Sequence, residues 1–275
     1  MRKAIRPCAC GVGSANLERS VIMYEKEFVV SLANDVGKII KESFRKHLEV
    51  EYKGPRDLVT NVDKYIDNLV RVRIKKAYPD YGIITEENSN INESAKIKFV
   101  IDPLDGTTNF VKGYPQVAVS IALMEEDSVT FGVVYNPILE EMFVGELGKG
   151  ATLNGKEIHV SKTNDFKDAL VLTGFVYKER TEKSLRVFGN ILENALSVRC
   201  DGSAAIDLAH VAMGIVDCYY QKGIHIWDII AGSLIVKEAG GFVSTFSGDP
   251  NFLFSSEVLA TNGVLHTKMV EFLKG

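Results

Sequence analysis

The sequence contains few cysteines and no apolar run of membrane-spanning length. Its 275 residues include four cysteines, Cys8, Cys10, Cys200 and Cys218. Four are too few for a disulfide-stabilised fold of this length, and their spacing lacks the paired Cys-x-x-Cys motifs of zinc sites. No uninterrupted apolar stretch approaches the roughly 20 residues that a membrane helix needs. We therefore expect reduced thiols, a cytoplasmic location and no membrane partner.

The sequence also lacks a strong charge of either sign. The formal net charge is −4 at pH 7, and no cluster of lysines or arginines stands out. Because nucleic-acid binding depends on a basic surface, we expect no requirement for a nucleic-acid partner. Hydrophobic residues make up 46% of the chain and charged residues 25%, which is typical of a soluble globular protein with a sizeable core.

Three segments differ in their hydrophobic pattern. Residues 1–23 have no continuous apolar region of secretory length, and we expect a poorly ordered leader there. Residues 24–163 predict an N-terminal α+β half. An amphipathic helix starts at Tyr24, a second helix is capped by Thr60 and Asp63, and an antiparallel meander follows. Residues 164–275 alternate strand and helix patterns, which predicts a C-terminal α/β half.

The stretch Phe99–Phe110 combines a buried-strand pattern with two carboxylates and a turn. Asp102 and Asp105 end the apolar run, and Gly106 favours a turn directly after them. Carboxylates and backbone carbonyls are the ligands that Mg²⁺ prefers, and two neighbouring dications suit phosphoryl transfer. Taken alone, an Asp-x-x-Asp-Gly sequence is more typical of a capped surface turn.

Five short motifs occur along the chain and change that interpretation. They are Asp57-Leu-Val-Thr60, Glu86-Glu87, Asp102-Pro-Leu-Asp-Gly-Thr-Thr-Asn-Phe110, Gly202-Ser-Ala-Ala205, and Trp227-Asp228 with the later Lys237-Glu-Ala-Gly-Gly241. The residues of these motifs and their order along the chain resemble those of the inositol monophosphatase family. The resemblance runs from about Tyr24 to the C-terminus. The resemblance implies a mixed α/β fold, the layered αβαβα sandwich of the inositol monophosphatase and fructose-1,6-bisphosphatase type, and a homodimer.

The resemblance also implies roles for individual residues. Two to three Mg²⁺ ions would be held by Glu86, Asp102, the carbonyl of Leu104, Asp105 and Asp228. The implied catalytic residues are Thr107, Glu86 and Asp57, with Thr107 positioning and deprotonating the attacking water beside one of the two acids. Without the family, we interpret Asp57 as a cap of the second helix. The implied substrate-binding residues are Asp105, Gly106, Thr107, Thr108, Gly202, Ser203, Ala204, Gln221 and Asp228.

The implied activity is a Mg²⁺-dependent, lithium-sensitive phosphomonoesterase that hydrolyses inositol 1-phosphate or a related sugar phosphate. A metal-activated water would attack phosphorus directly, without a phosphoenzyme. Gln221 stands where many inositol-selective members have glutamate, and an amide offers donors as well as acceptors without charge. Fructose-1,6-bisphosphatase activity is therefore an alternative. A second alternative is a regulatory binding role, since some relatives associate with transcription machinery.

Overall fold

The structure is a computed structural model that describes residues 13–274, with side chains from Glu25 onward. Its helices are α1 (Gly13–Ser43), α2 (Asn61–Ala77), α3 (Thr107–Lys112), α4 (Glu182–Asn194), α5 (Ala204–Ala212), α6 (Ile226–Glu238) and α7 (His266–Lys274). Short 3₁₀ helices cover Phe166–Asp168 and Tyr177–Glu179. Within this range, no helix has the length and apolar character needed to cross a membrane.

The strands form a hairpin and two larger sheets. They are β1 (Val50–Gly54), β2 (Asp57–Thr60), β3 (Gly82–Thr85), β4 (Ile97–Asp105), β5 (Ala118–Glu125), β6 (Ser128–Asn136), β7 (Glu141–Glu146), β8 (Gly150–Leu153), β9 (Lys156–Glu157), β10 (Leu170–Phe175), β11 (Ser197–Arg199), β12 (Cys218–Lys222), β13 (Phe242–Ser244) and β14 (Glu257–Thr261).

Helix α1 begins at Gly13, earlier than the start at Tyr24 that the apolar spacing predicts. Residues 14–23 contain neither glycine nor proline, so the sequence there has no strong helix breaker. The rest of the predicted leader, residues 1–12 with Cys8 and Cys10, lies outside the described residues.

The start of α2 follows a strand and not a loop. Strand β2 pairs with β1 in an antiparallel hairpin, so Asp57 lies in a strand and does not cap the helix. The Thr60 hydroxyl accepts hydrogen bonds from the N–H groups of Val62 and Asp63, and the Thr60 N–H donates to Asp63 Oδ2 at 2.9 Å. This geometry confirms the capping box predicted from the Thr60–Asp63 spacing.

The N-terminal half is built on a seven-stranded sheet of order β3-β4-β5-β6-β7-β8-β9. Strand β3 is parallel to β4, and all later neighbours are antiparallel, as the meander pattern predicts. Helices α1 and α2 cover one face of this sheet. Leu32 of α1 and Ile66 of α2 are fully buried there, in one hydrophobic cluster with Phe99 and Ile101 of β4.

Helices α5 and α6 lie between that sheet and a five-stranded sheet of order β11-β10-β12-β14-β13. Glycines allow α6 to approach the larger sheet closely, because a Cβ on Gly132 or Gly145 would come within 3.0 Å of the α6 residues Ala231 or Ile235. Helices α4 and α7 cover the other face of the five-stranded sheet, which we call its outer face. The layers are therefore αβαβα, which confirms the predicted fold.

Candidate active site

The turn after β4 carries two of the predicted metal ligands. Asp102 is 2% exposed, and its Oδ1 accepts the N–H of Leu104 at 3.0 Å. The pairing of β4 with β5 is irregular between Asp102 and Asp105. Gly106 then adopts a φ of 84°, and a Cβ there would lie 2.8 Å from the carbonyl oxygen of Gln116. This turn therefore requires glycine.

Asp105 is held by the N-terminal end of α5. Its Oδ2 accepts hydrogen bonds from Ser203 Oγ at 2.6 Å and from the N–H of Ala205 at 2.8 Å. The side-chain amide of Asn109 reinforces this junction by donating to the carbonyl oxygen of Asp201 at 2.8 Å. These bonds join the β4–α3 turn to a loop of the C-terminal half.

Two further carboxylates belong to α6 and to the segment after β3. Asp228 lies in the first turn of α6, where its Oδ2 accepts the N–H of His225 at 2.8 Å. Glu86 follows β3 and forms an ion pair with Lys53 Nζ at 2.6 Å. Lys53 also contacts Glu87 Oε1 at 2.9 Å, so one ammonium from the β1–β2 hairpin serves two carboxylates.

The pKa shifts show that these carboxylates form one electrostatic cluster. Burial, followed by the charges of Glu86 and Asp105, raises the pKa of Asp102 well above 3.8. Burial raises the pKa of Asp105 to about 6, although hydrogen bonds from α5 oppose the shift. Burial and the charge of Asp105 also raise the pKa of Asp228 well above 3.8. Burial raises the pKa of Glu87 to about 7. Such mutual repulsion favours a bound cation.

The hydroxyl of Thr107 is held by Asp63. Thr107 Oγ1 lies 3.0 Å from Asp63 Oδ1 and 3.2 Å from the carbonyl oxygen of Leu104. Asp63 is 1% exposed, and burial raises its pKa, while hydrogen bonds from Thr60 and Thr107 oppose that shift. Within the described residues, neither Asp57 nor Glu86 makes a hydrogen bond to Thr107. The hydrogen-bond partner of Thr107 in this structure is thus Asp63, and the role of Asp57 or Glu86 beside it stays a prediction.

The predicted substrate loop, Gly202–Ala204, lies beside Asp105. Gly202 adopts a φ of 82°, and a Cβ on it would come within 3.2 Å of the Asn109 side chain. The Ser203 hydroxyl is buried and directed at Asp105, so this side chain orients a carboxylate in the structure. Ala204 is 8% exposed at the start of α5.

Gln221 occupies the end of β12, and its side chain is fixed by a neighbour. Its Oε1 accepts a hydrogen bond from the Tyr219 hydroxyl at 2.8 Å. A Cβ on Gly174, the paired residue of β10, would lie 1.9 Å from that oxygen, so the glycine makes room for the amide. Thr108 is exposed on α3. Among the described residues, no hydrogen bond joins the Gln221 side chain to the carboxylate cluster.

Two residues of the site were not predicted from the sequence. The spacing Thr60-x-x-Asp63 predicts the helix-capping role of Asp63 and not its contact with Thr107. No local pattern predicts a role for Lys53, because its contact with Glu86 depends on where the β1–β2 hairpin lies in the fold. The one sequence signal for Asp63 is its capping pattern at the start of α2, at the border of the site.

The family model of the inositol monophosphatase family matches residues 24–274. The chain belongs to the inositol monophosphatase family. Among its relatives, Nus factor SuhB of Pasteurella multocida is 39% identical over 236 residues, covering 84% of this chain and 88% of the relative. Inositol-1-monophosphatase of Mesorhizobium japonicum is 36% identical over 247 residues, covering 89% and 91%.

Solved structures of the inositol monophosphatase family have the same fold. Extragenic suppressor protein suhB of Bartonella henselae superposes with a TM-score of 0.86 at 35% identity, covering 90% of this chain and 96% of that one. Inositol monophosphatase of Anabaena superposes with a TM-score of 0.83 at 34% identity, covering 92% and 96%. The layered architecture is therefore that of the family.

The acidic residues of this family member have the donor chemistry that Mg²⁺ needs. Within residues 13–274, no three His, Cys, Asp or Glu side chains are arranged as a ready-made ion site. The reason is visible in their contacts: each carboxylate is turned to a donor of the protein, Asp102 to an N–H, Asp105 to α5 and Glu86 to Lys53. Hard oxygen donors that repel one another fit a divalent cation, and burial raises the pKa values of Asp102, Asp105 and Asp228. Binding of the cation requires the carboxylates to turn toward a common point.

Proposed function

We propose that this chain is a Mg²⁺-dependent phosphomonoesterase acting on a small phosphorylated polyol such as inositol 1-phosphate. The observation that carries the proposal is the electrostatically coupled acidic cluster beside a threonine hydroxyl held by a buried carboxylate. The relative named inositol-1-monophosphatase supports the same substrate class. Fructose 1,6-bisphosphate is the alternative substrate, because Gln221 replaces the family's frequent glutamate.

The residues that would hold two to three Mg²⁺ ions are Glu86, Asp102, the carbonyl of Leu104, Asp105 and Asp228. Bound there, Mg²⁺ supplies positive charge that polarises the phosphate and lowers the pKa of water. Lys53 would have to release Glu86, since an ammonium and a dication compete for the same carboxylate. Asp102 is the most buried of these side chains. Water therefore has the least room to take its place as a ligand.

Thr107 and Asp63 are suited to hold and deprotonate the attacking water. The Thr107 hydroxyl donates its single hydrogen toward Asp63 Oδ1, which leaves the lone pairs of the threonine oxygen free to accept a hydrogen bond. A water that donates a hydrogen bond to the threonine oxygen keeps its own lone pairs free. One of them could then attack phosphorus. The proton that leaves this water can pass through the hydroxyl to Asp63, whose raised pKa makes it a better base than an ordinary aspartate.

The predicted substrate contacts remain part of this proposal. Backbone N–H groups from Gly106 to Thr108 would bind phosphate oxygens, and Gly202, Ser203, Ala204 and Gln221 would face the polyol. We further propose a cytoplasmic homodimer with lithium sensitivity. Light scattering of the purified chain tests the dimer, and the rate in millimolar Li⁺ tests the sensitivity.

A phosphate-release panel in Mg²⁺ tests the proposed activity and its substrate. Inositol 1-phosphate, fructose 1,6-bisphosphate, adenosine 3′,5′-bisphosphate and histidinol phosphate are compared at equal concentration. We expect release from inositol 1-phosphate, from fructose 1,6-bisphosphate or from both, and loss of release in EDTA. Release from none of the four would overturn the proposal, and a clear preference for either of the last two would overturn the substrate class.

A second candidate function is binding to transcription machinery, because several relatives are named Nus factor SuhB. Binding and hydrolysis are separable with Asp228→Asn, which removes one proposed ligand of Mg²⁺. A binding role predicts that Asp228→Asn still co-purifies with a transcription complex at the wild-type level. Absence of co-purification by the wild type contradicts this second function and leaves the phosphatase proposal unaffected.

A further inference from the structure

The loop that carries Glu86 is closed at its two ends by backbone hydrogen bonds. Ile83 and Ile91 each donate an N–H to the carbonyl oxygen of the other at 2.9 Å. We call residues 83–91 the Glu86 loop. Strand β3 ends at Thr85, so Glu86 lies beyond the sheet and its position depends on further contacts.

One such contact joins the Glu86 loop to Asp67 of α2. Asn88 Nδ2 donates a hydrogen bond to Asp67 Oδ2 at 2.5 Å. Asp67 is fully buried and Asn88 is exposed, so the asparagine covers the carboxylate from solvent. The other oxygen of Asp67, Oδ1, has no hydrogen-bond partner among the described residues. Since a buried carboxylate with one unpaired oxygen contributes little to stability, the contact acts mainly on the position of the loop.

Arg71, one turn further along α2, contacts the loop on both sides of Glu86. Its Nη1 donates to Thr85 Oγ1 at 3.3 Å and to the carbonyl oxygen of Ser89 at 2.9 Å. Its Nε lies 3.9 Å from Asp67 Oδ2, so the two side chains of α2 also attract each other. We call the contacts of Asp67 and Arg71 with the loop the α2 bracket.

The α2 bracket does not use the carboxylates of the loop. Glu86 and Glu87 instead form ion pairs with Lys53 of the β1–β2 hairpin, at 2.6 and 2.9 Å. A cation that displaces Lys53 from Glu86 therefore leaves the contacts between α2 and the loop in place. The bracket would keep the backbone of Glu86 at the same point before and after the exchange.

The same helix also holds the proposed base. Asp63, whose Oδ1 lies 3.0 Å from the Thr107 hydroxyl oxygen, precedes Asp67 by one turn of α2. Residues four positions apart lie on the same face of a helix. Helix α2 therefore fixes the Glu86 loop relative to the threonine that is proposed to act on water.

We propose that Asp67 and Arg71 are positioning residues that raise the Mg²⁺ affinity of the site at Glu86, an inference that rests on the proposed function. Neither residue is among the proposed ligands, and both act through the Glu86 loop. Replacing a residue that orients a metal ligand typically lowers metal affinity by about 10–100-fold. Loss of the bracket should therefore weaken Mg²⁺ binding and leave kcat at saturating Mg²⁺ close to the wild-type value.

Calorimetric titration of the full chain with Mg²⁺ tests the inference. Asn88→Ala removes the hydrogen bond to Asp67, and Arg71→Met removes both hydrogen bonds to the loop while keeping a long side chain. Each variant should bind Mg²⁺ about tenfold more weakly, or less tightly still. Asn90→Ala in the same loop and Lys75→Met near the end of α2 are the matched controls, since both are exposed residues outside the bracket. Their affinities should equal that of the wild type.

A conservative variant separates the hydrogen bond from the rest of the Asp67 side chain. The amide oxygen of Asp67→Asn can still accept from Asn88, so its Mg²⁺ affinity should stay closer to that of the wild type than the affinity of Asp67→Ala. Affinities within about threefold of the wild type in both Asn88→Ala and Arg71→Met, or equal losses in the controls, would overturn the inference.

Hydrogen exchange and phosphate release distinguish this inference from the proposed function. In the metal-free protein, the Glu86 loop should exchange faster in Asn88→Ala than in the wild type, and unchanged exchange would contradict the bracket. Phosphate release by Asn88→Ala should need about tenfold more Mg²⁺. A kcat that stays low at saturating Mg²⁺ would contradict a positioning role. A wild type that binds Mg²⁺ and releases no phosphate would contradict the proposed function and leave the bracket standing.

Discussion

Replacing Asp63 with asparagine removes a negative charge beside the Thr107 hydroxyl and almost no volume. In the native structure Asp63 accepts from the N–H of Thr60 at 2.9 Å and from Thr107 Oγ1 at 3.0 Å. The Thr60 hydroxyl also donates to Asp63 Oδ2, and asparagine has one acceptor oxygen for these three donors. The Thr60 N–H cannot reverse, whereas the Thr107 hydroxyl can rotate. We therefore expect the amide nitrogen to face Thr107 and to turn the hydroxyl hydrogen outward.

The reversed hydroxyl presents a donor to the attacking water and has lost its proton acceptor. Loss of a general base typically lowers kcat by about 10²–10⁴-fold, and we expect Asp63→Asn to fall in this range with little change in KM. Its free energy of unfolding should change by only about 1 kcal/mol, because relief from burying the charge offsets the altered hydrogen bond. Phosphate release under saturating Mg²⁺, with chemical denaturation in parallel, measures both quantities.

Asp127→Asn is the matched control, since it makes the same chemical change at an exposed residue of the turn between β5 and β6. We expect its kcat to stay close to that of the wild type. A kcat for Asp63→Asn within about threefold of the wild type, or a larger loss in Asp127→Asn than in Asp63→Asn, would refute the assignment of Asp63 as the partner of Thr107.

Three further predictions concern stability. Asp102→Asn should make the metal-free protein more stable to urea than the wild type, because it removes a buried charge that its neighbours repel; lower stability in EDTA would contradict this. In the folded state the pKa of Asp105 is raised from 3.8 to about 6. The destabilisation caused by burying its charge is therefore full above pH 6 and absent below pH 3.8. The stability of the metal-free wild type relative to Asp105→Asn should therefore rise as pH is lowered from 7 to 4, and a flat difference would disprove that shift. Gly106→Ala should destabilise the fold by about 1–3 kcal/mol, since φ is 84° and the Gln116 carbonyl lies 2.8 Å from a Cβ; an unchanged urea midpoint would show that the turn relaxes.

The sequence predicts much of the fold because its signals are local. The Thr60–Asp63 spacing predicts the cap of α2, and the meander pattern predicts the antiparallel neighbours of the seven-stranded sheet. The start of α1 was missed because apolar spacing marks the buried side of a helix and not its first residue.

The site is harder to predict because its contacts join distant residues. Asp102 and Asp105 could be selected because they share one turn. Asp63 and Thr107 are separated by 44 positions, and only the packing of α2 against the β4–α3 turn brings them together. Lys53 lies on the β1–β2 hairpin and forms an ion pair with Glu86, and no local sequence pattern predicts that contact.

The most direct test of the proposed function is phosphate release from inositol 1-phosphate by the wild type and by Asp102→Asn at saturating Mg²⁺. Asp102 is the most deeply buried acid of the cluster, and asparagine keeps its shape while removing its charge. We predict Mg²⁺-dependent release by the wild type and none by Asp102→Asn, with identical circular dichroism spectra. Wild-type activity in folded Asp102→Asn would contradict a mechanism based on cations held by this cluster.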